Sequence, residues 1–166
     1  MKTIFKILSI FFILAFSFVS WGAISINCAI QTFDGHYLTA NNGGGSGAWD
    51  ALQTNRTWIR AWERFTFVPS GVGGSAEYYA IKTVKGYYLS AVGGGGNAVV
   101  TSKKKVGSWE KFKLITLTHP YYALKTIKGK YLTATNGGGQ VYYAIQATRT
   151  IVREWEMFRL ADCYNL

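Results

Sequence analysis

Three times the chain places a tryptophan directly before a glutamate and closes with phenylalanine two residues on: Trp62, Glu63 and Phe65, then Trp109, Glu110 and Phe112, then Trp155, Glu156 and Phe158. An indole face suits the apolar C–H face of a pyranose, and its ring N–H needs a polar partner. A carboxylate beside it accepts hydrogen bonds from sugar hydroxyls. Arg56, Lys103 and Arg149 stand a few residues upstream of the three pairs, where a cation donates to a ligand or orients the glutamate. This is chemistry of binding. The eight acidic residues are scattered and three of them are the repeated glutamate, so paired-carboxylate hydrolysis lacks its pair in one cleft. Neither His36 nor His119 stands near a nucleophile motif. Two histidines and two cysteines so far apart make no metal-ligand cluster, and no cofactor is implied. An alternative stays open for the pairs: the indoles pack under hairpins while the carboxylates bond turn amides.

The elements that must hold these residues also come in triplicate. Residues 29–40, 80–91 and 123–134 match one another, each runs into a glycine tract, and each copy ends at its Trp-Glu pair. Spacing between copies varies while the strand signals persist, as in repeats that keep insertions to surface connections. Within the second copy, apolar and polar residues alternate over 80–84, and Gly86 supplies the positive φ of a tight turn. Further strands are predicted over 88–91, 98–101 and 109–114, the last with Phe112 and Leu114 pointing inward. Four strands in each of three copies make twelve. Three units are too few for an ordinary propeller. The expected fold is all-β, a β-trefoil: a six-stranded barrel capped by three hairpins. Its core is predicted from Ile30, Leu38, Leu52, Phe65, Phe67, Ile81, Leu89, Val99, Phe112, Leu114, Leu124, Leu132, Phe158 and Leu160. The glycine tracts lack the following helix of a phosphate-binding loop. They read either as wide turns or as places where a ligand or neighbouring backbone comes close.

Residues 1–22 read as a secretory signal, with Lys2 and Lys6 ahead of an apolar run over 7–19 and small residues before a cleavage point near Gly22 or Ala23. That run is short of the ~20 residues of a membrane span, so no stable membrane insertion is expected after cleavage. The remaining residues 23–166 form one domain, with repeats at about 28–70, 78–117 and 121–161. Export leads to an oxidising compartment. Cys28 precedes the first repeat and Cys163 follows the last, so one disulfide is predicted to staple the ends of a closed three-fold fold. The formal charge is +10, and +8 without Lys2 and Lys6. Only Lys103 to Lys105 form a run, so the excess reads as a solvated basic surface and not as a nucleic-acid site. Asn55, Arg56 and Thr57 form a glycosylation sequon in a eukaryotic setting.

Tyr37, Leu38, Thr39, Ala40, Asn41, Asn42 and Gly43 to Gly45, followed by Leu52 to Thr57 and then Trp62, Glu63, Arg64 and Phe65, resemble the fascin-like β-trefoil family. The resemblance covers the whole of residues 23–166 and leans toward secreted bacterial carbohydrate-binding modules, some of which bind β-glucans. It implies up to three glycan sites built on the Trp-Glu pairs, and a secreted, monomeric, non-catalytic, lectin-like binder of polysaccharide. Three weak sites acting together bind strongly through effective concentration. The Asn-Arg element is intact only in the first copy; Ser102 and Lys103, then Thr148 and Arg149, replace it in the others. Trp49, Trp58, Tyr142 and Tyr143 break the symmetry and are expected to extend a site unequally. The competing reading is a protein-interaction module, since cytoplasmic members of the family bundle actin. A toxin-like or defence lectin is a third.

Overall fold

The structure is a computed structural model and describes residues 23–166; the expected signal segment lies outside the described residues. Twelve strands follow in order: β1 (Ile26–Thr32), β2 (Tyr37–Ala40), β3 (Leu52–Arg56) and β4 (Arg64–Pro69) in the first repeat; β5 (Tyr79–Thr83), β6 (Tyr88–Ser90), β7 (Val100–Lys103) and β8 (Lys111–Thr116) in the second; β9 (Tyr121–Thr126), β10 (Tyr131–Ala134), β11 (Ile145–Arg149) and β12 (Phe158–Asn165) in the third. Antiparallel pairing runs β1 to β4, β4 to β5, β5 to β8, β8 to β9, β9 to β12, and β12 back to β1. The six strands therefore close on themselves and leave no free edge in the ring. β2 with β3, β6 with β7 and β10 with β11 form the three hairpins of the cap. This is the β-trefoil arrangement.

Each repeat opens with the same turn, for a local reason. Thr32, Thr83 and Thr126 each accept the amide of the residue four ahead on Oγ1, at 3.2 Å, and each donates its own amide to that residue's carbonyl at 2.7 Å. Gly35, Gly86 and Gly129 complete the turn at φ 89°, 80° and 79°.

Core side chains come in sets of three, one from each repeat. Phe65, Phe112 and Phe158 are buried together with Ile30, Ile81 and Leu124, and with Leu38, Leu89 and Leu132. Leu52, Val99 and Ile145 form a fourth set at the first inward position of the cap hairpins. Leu114 and Leu160 depart from the expected core. Both are only partly buried, while their counterpart Phe67 is fully buried and meets Tyr79 edge-on at 6.1 Å. The larger ring fills space that the two leucines leave open, so the packing symmetry fails at this level.

The glycine tracts are joints between repeats. Each forms one turn of 3-10 helix and then lies against the opening turn of the next repeat. A Cβ on Gly44 (φ 102°) would sit 2.5 Å from Thr83 Oγ1, and one on Gly138 (φ 138°) would sit 2.8 Å from Thr32 Oγ1 and from His36 Nδ1. At the joint between the second and third repeats Thr126 donates its hydroxyl to the Gly94 carbonyl at 2.8 Å. Beyond each tract the chain pairs with the third strand of the following repeat: Gly45 and Ser46 with Thr101, Gly96 and Asn97 with Ala147, Gly139 and Gln140 with Thr54. The contacts thus run first to second, second to third and third to first. Of the two openings left by the sequence, close approach of a neighbouring backbone is the one realised.

Cys28 and Cys163 are disulfide-bonded, with Cα atoms 4.2 Å apart. The bridge spans 135 residues, a loop for which the chain-entropy model gives ~4–5 kcal/mol. Beside it the Leu166 amide donates to the Ser25 carbonyl at 3.0 Å, and Arg64 pairs with Asp162.

Candidate functional site

The Trp-Glu pairs do not start the fourth strand, as the alternation over 109–114 suggested. They sit on single turns of 3-10 helix just before it: Ala61–Glu63, Ser108–Glu110 and Glu154–Glu156. Alternation misleads here because the inward and outward directions continue across the turn. Glu110 and Phe112 are buried, Trp109 and Lys113 exposed, as a strand would have them.

Within each turn the two residues part company. Glu63, Glu110 and Glu156 are only 3–4% exposed. Their Oε2 atoms accept the backbone amides of Arg60, Gly107 and Arg153 at 2.8, 2.8 and 2.9 Å. This is the carboxylate half of a capping box, in which a glutamate at the third helical position satisfies an otherwise orphaned amide. Glu63 Oε1 also accepts the Thr39 hydroxyl at 2.8 Å. The expected role of these glutamates as acceptors of sugar hydroxyls is therefore corrected: the carboxylates face inward and hold the turn. The indoles face out. Trp62, Trp109 and Trp155 are 40%, 42% and 40% exposed, nearly equal in three sequence contexts. Of the alternative reading, the half in which the carboxylates bond turn amides holds, while the indoles keep two-fifths of their surface open.

Each exposed indole borders an open cleft, and the cations expected beside it line the same one. The first cleft, about 330 Å³, brings Trp62 together with Arg56, Trp58 and Arg60. The second, about 390 Å³, joins Trp109 with Lys103, Lys105 and Val106. The third, about 870 Å³, joins Trp155 with Arg149, Ile151, Arg153 and Glu154. Arg56, Lys103 and Arg149 end the third strands of their repeats, and the turn that follows returns the chain to the indole. The walls differ because equivalent positions carry Trp58, Lys105 and Ile151. In the first cleft Arg56 and Arg60 stack toward one Trp58 ring, at 5.5 and 5.9 Å from its centroid.

Arg60 and Arg153 were not singled out in the sequence, and Lys105 only as part of a lysine run; each adds a second cation to its cleft. A signal was present for two of them: Arg60 and Arg153 stand three residues before the buried glutamate, where their amides must be capped. Trp58 does extend the first cleft. Trp49, Tyr142 and Tyr143 do not join any of the three; Trp49 and Tyr143 stack on each other at 5.7 Å between the loops of the first and third hairpins. Among the described residues, no three His, Cys, Asp or Glu side chains gather as metal ligands.

Solved structures share this architecture. The designed three-fold symmetric protein ThreeFoil matches with a TM-score of 0.69 at 17% identity, over 82% of this chain and 98% of its own. The Rhizoctonia solani agglutinin gives 0.66 at 10% identity, over 82% and 94%. SeviL, solved bound to the asialo-GM1 saccharide, gives 0.62 at 18% identity, over 83% and 97%. No family model and no curated protein matches the sequence. Likeness at these identities fixes the architecture and leaves the ligand to be argued from the clefts. The chain is a β-trefoil with one tryptophan-bordered cleft in each repeat.

Proposed function

We propose that this protein is a secreted, non-catalytic, lectin-like binder of polysaccharide that uses three clefts of one design. One observation carries the reading: Trp62, Trp109 and Trp155 stand equally exposed at three clefts while the glutamate beside each is buried to hold the turn that presents it. The indoles recur at the same place in three clefts, each beside a cation, as a repeated ligand site needs. Each is a stacking platform, Arg56, Lys103 and Arg149 donate to ligand oxygens, and Glu63, Glu110 and Glu156 are positioning residues.

The non-catalytic part rests on the same geometry. The first two clefts hold one carboxylate each, and it is turned into the backbone, so neither presents the pair that glycoside hydrolysis requires. That an agglutinin and a saccharide-bound protein share the fold supports a glycan as partner. The resemblance to fascin-like carbohydrate-binding modules extends this to β-glucan-type polysaccharide and to a monomer acting outside the cell.

The test is retention of the purified protein on soluble and insoluble polysaccharides, β-1,3- and β-1,6-glucans, chitin and cellulose among them. Selective retention is expected, and the triple variant Trp62→Ala, Trp109→Ala, Trp155→Ala should lose it while its circular dichroism stays unchanged. Retention that survives in a folded triple variant would overturn the clefts as the site.

A further inference from the structure

The three clefts share a feature that a neutral sugar does not use. Each is lined by two cations: Arg56 and Arg60, Lys103 and Lys105, Arg149 and Arg153. None of the six is in an ion pair, because the single ion pair among the described residues is Arg64 with Asp162. Each cleft also holds the buried glutamate, whose Oε2 is already bonded to a backbone amide. No other acidic side chain lines the first or second cleft; the third alone adds one, the exposed Glu154. In the first cleft both guanidinium groups stack toward Trp58, which orders them without consuming their N–H donors. Flat guanidinium forks held beside aromatic faces match a carboxylate or a sulfate, which they bind with two parallel hydrogen bonds.

We propose, on the footing that the clefts bind glycan, that the first and second clefts select saccharides bearing negative charge, as uronate carboxylates or as sulfate esters. The indole takes the ring face and the paired cations take the anionic substituent. The third cleft, where Glu154 offsets one of its two cations, is the least selective for charge. The four cations of the first two clefts thereby add a preference for charged saccharides to the ring stacking that neutral ones also use.

The experiment measures dissociation constants at about 0.15 M salt, where exposed charges are screened beyond ~8 Å. Probes are an oligogalacturonate and its methyl ester, a heparin oligosaccharide and its desulfated form, and a neutral β-1,3-glucan oligosaccharide. The methyl ester keeps its sugar ring and loses its carboxylate charge, the desulfated heparin loses its sulfates and keeps its uronate carboxylates, and the two pairs therefore separate carboxylate from sulfate as the preferred source. At least one charged probe should bind tenfold or more tighter than its modified partner, as the loss of a charge-assisted hydrogen bond requires. Arg56→Gln with Arg60→Gln, and separately Lys103→Gln with Lys105→Gln, should each reduce that preference. The exposed pair Lys113→Gln with Lys128→Gln, equal in charge change and outside the clefts, should leave it intact. If charged and neutral probes bind alike and the triple tryptophan variant binds neither, the charge preference falls and the glycan reading stands. An equal loss in the Lys113/Lys128 variant would assign the effect to overall charge and overturn the proposal. Binding to no saccharide would overturn both readings.

Discussion

A tryptophan that shows two-fifths of its surface and a glutamate that shows almost none are neighbours in sequence three times over, and their separation fixes what each substitution does. Trp109→Ala removes an indole that is 42% exposed and otherwise packed, so unfolding free energy should fall by about 1–3 kcal/mol while binding at that cleft is lost. Glu110→Ala leaves the Gly107 amide without its acceptor, at a cost of about 1–3 kcal/mol. Glu63→Ala should cost more, because the buried Thr39 hydroxyl loses its acceptor too. Urea unfolding of the three variants checks that Glu63→Ala costs more than Glu110→Ala, and an indole that proves the most destabilising would make it core. The sequence picked out residues that line the clefts but not which way each faces. The spacing from Arg60 to Glu63, or Gly107 to Glu110, is that of a capped turn. It was masked because Trp-Glu-x-Phe also satisfies strand alternation.

At the level of elements, the four strands of each repeat and the glycine at each opening turn were readable, since period-two patterning and a positive-φ turn are local properties. The single turns of 3-10 helix were not, because three residues carry no periodicity. Nor was the work of the glycine tracts, which depends on what lies across the boundary between repeats. Gly44 meets Thr83, about forty positions further along the chain, and no local pattern reports that. Two substitutions separate the causes. Gly93→Ala places a Cβ in open space at φ 71° and should cost only the backbone strain, about 1 kcal/mol. Gly44→Ala adds a clash with a Thr83 hydroxyl that is already bonded to the Tyr87 amide, and should cost about 2–4 kcal/mol. Thermal or urea unfolding of both variants makes the comparison; equal costs would mean the joint is loose.

Taken as a whole molecule, the closed ring and the joints leave no repeat at an end. Every repeat hands its glycine tract to the next and receives one from the last, and the disulfide ties the two sides of the seam between β1 and β12. The three-fold closure was legible because the cysteines flank the repeats. The inequality of the clefts was only partly so: Lys103 for Arg56 was visible, but Trp58, Lys105 and Ile151 become equivalent only once the turn is built. The seam has a further consequence. Ser25 and Leu166 are already within hydrogen-bonding distance across it, and the opposite connection over 71–77 is exposed, with Val72 almost wholly in solvent. A circular permutant, its old ends joined by a short linker and new ones opened at Gly73, should fold to the same ring, with near-native melting and unchanged clefts. Order along the chain is then a convention of this molecule, and the cycle of neighbours is its structure.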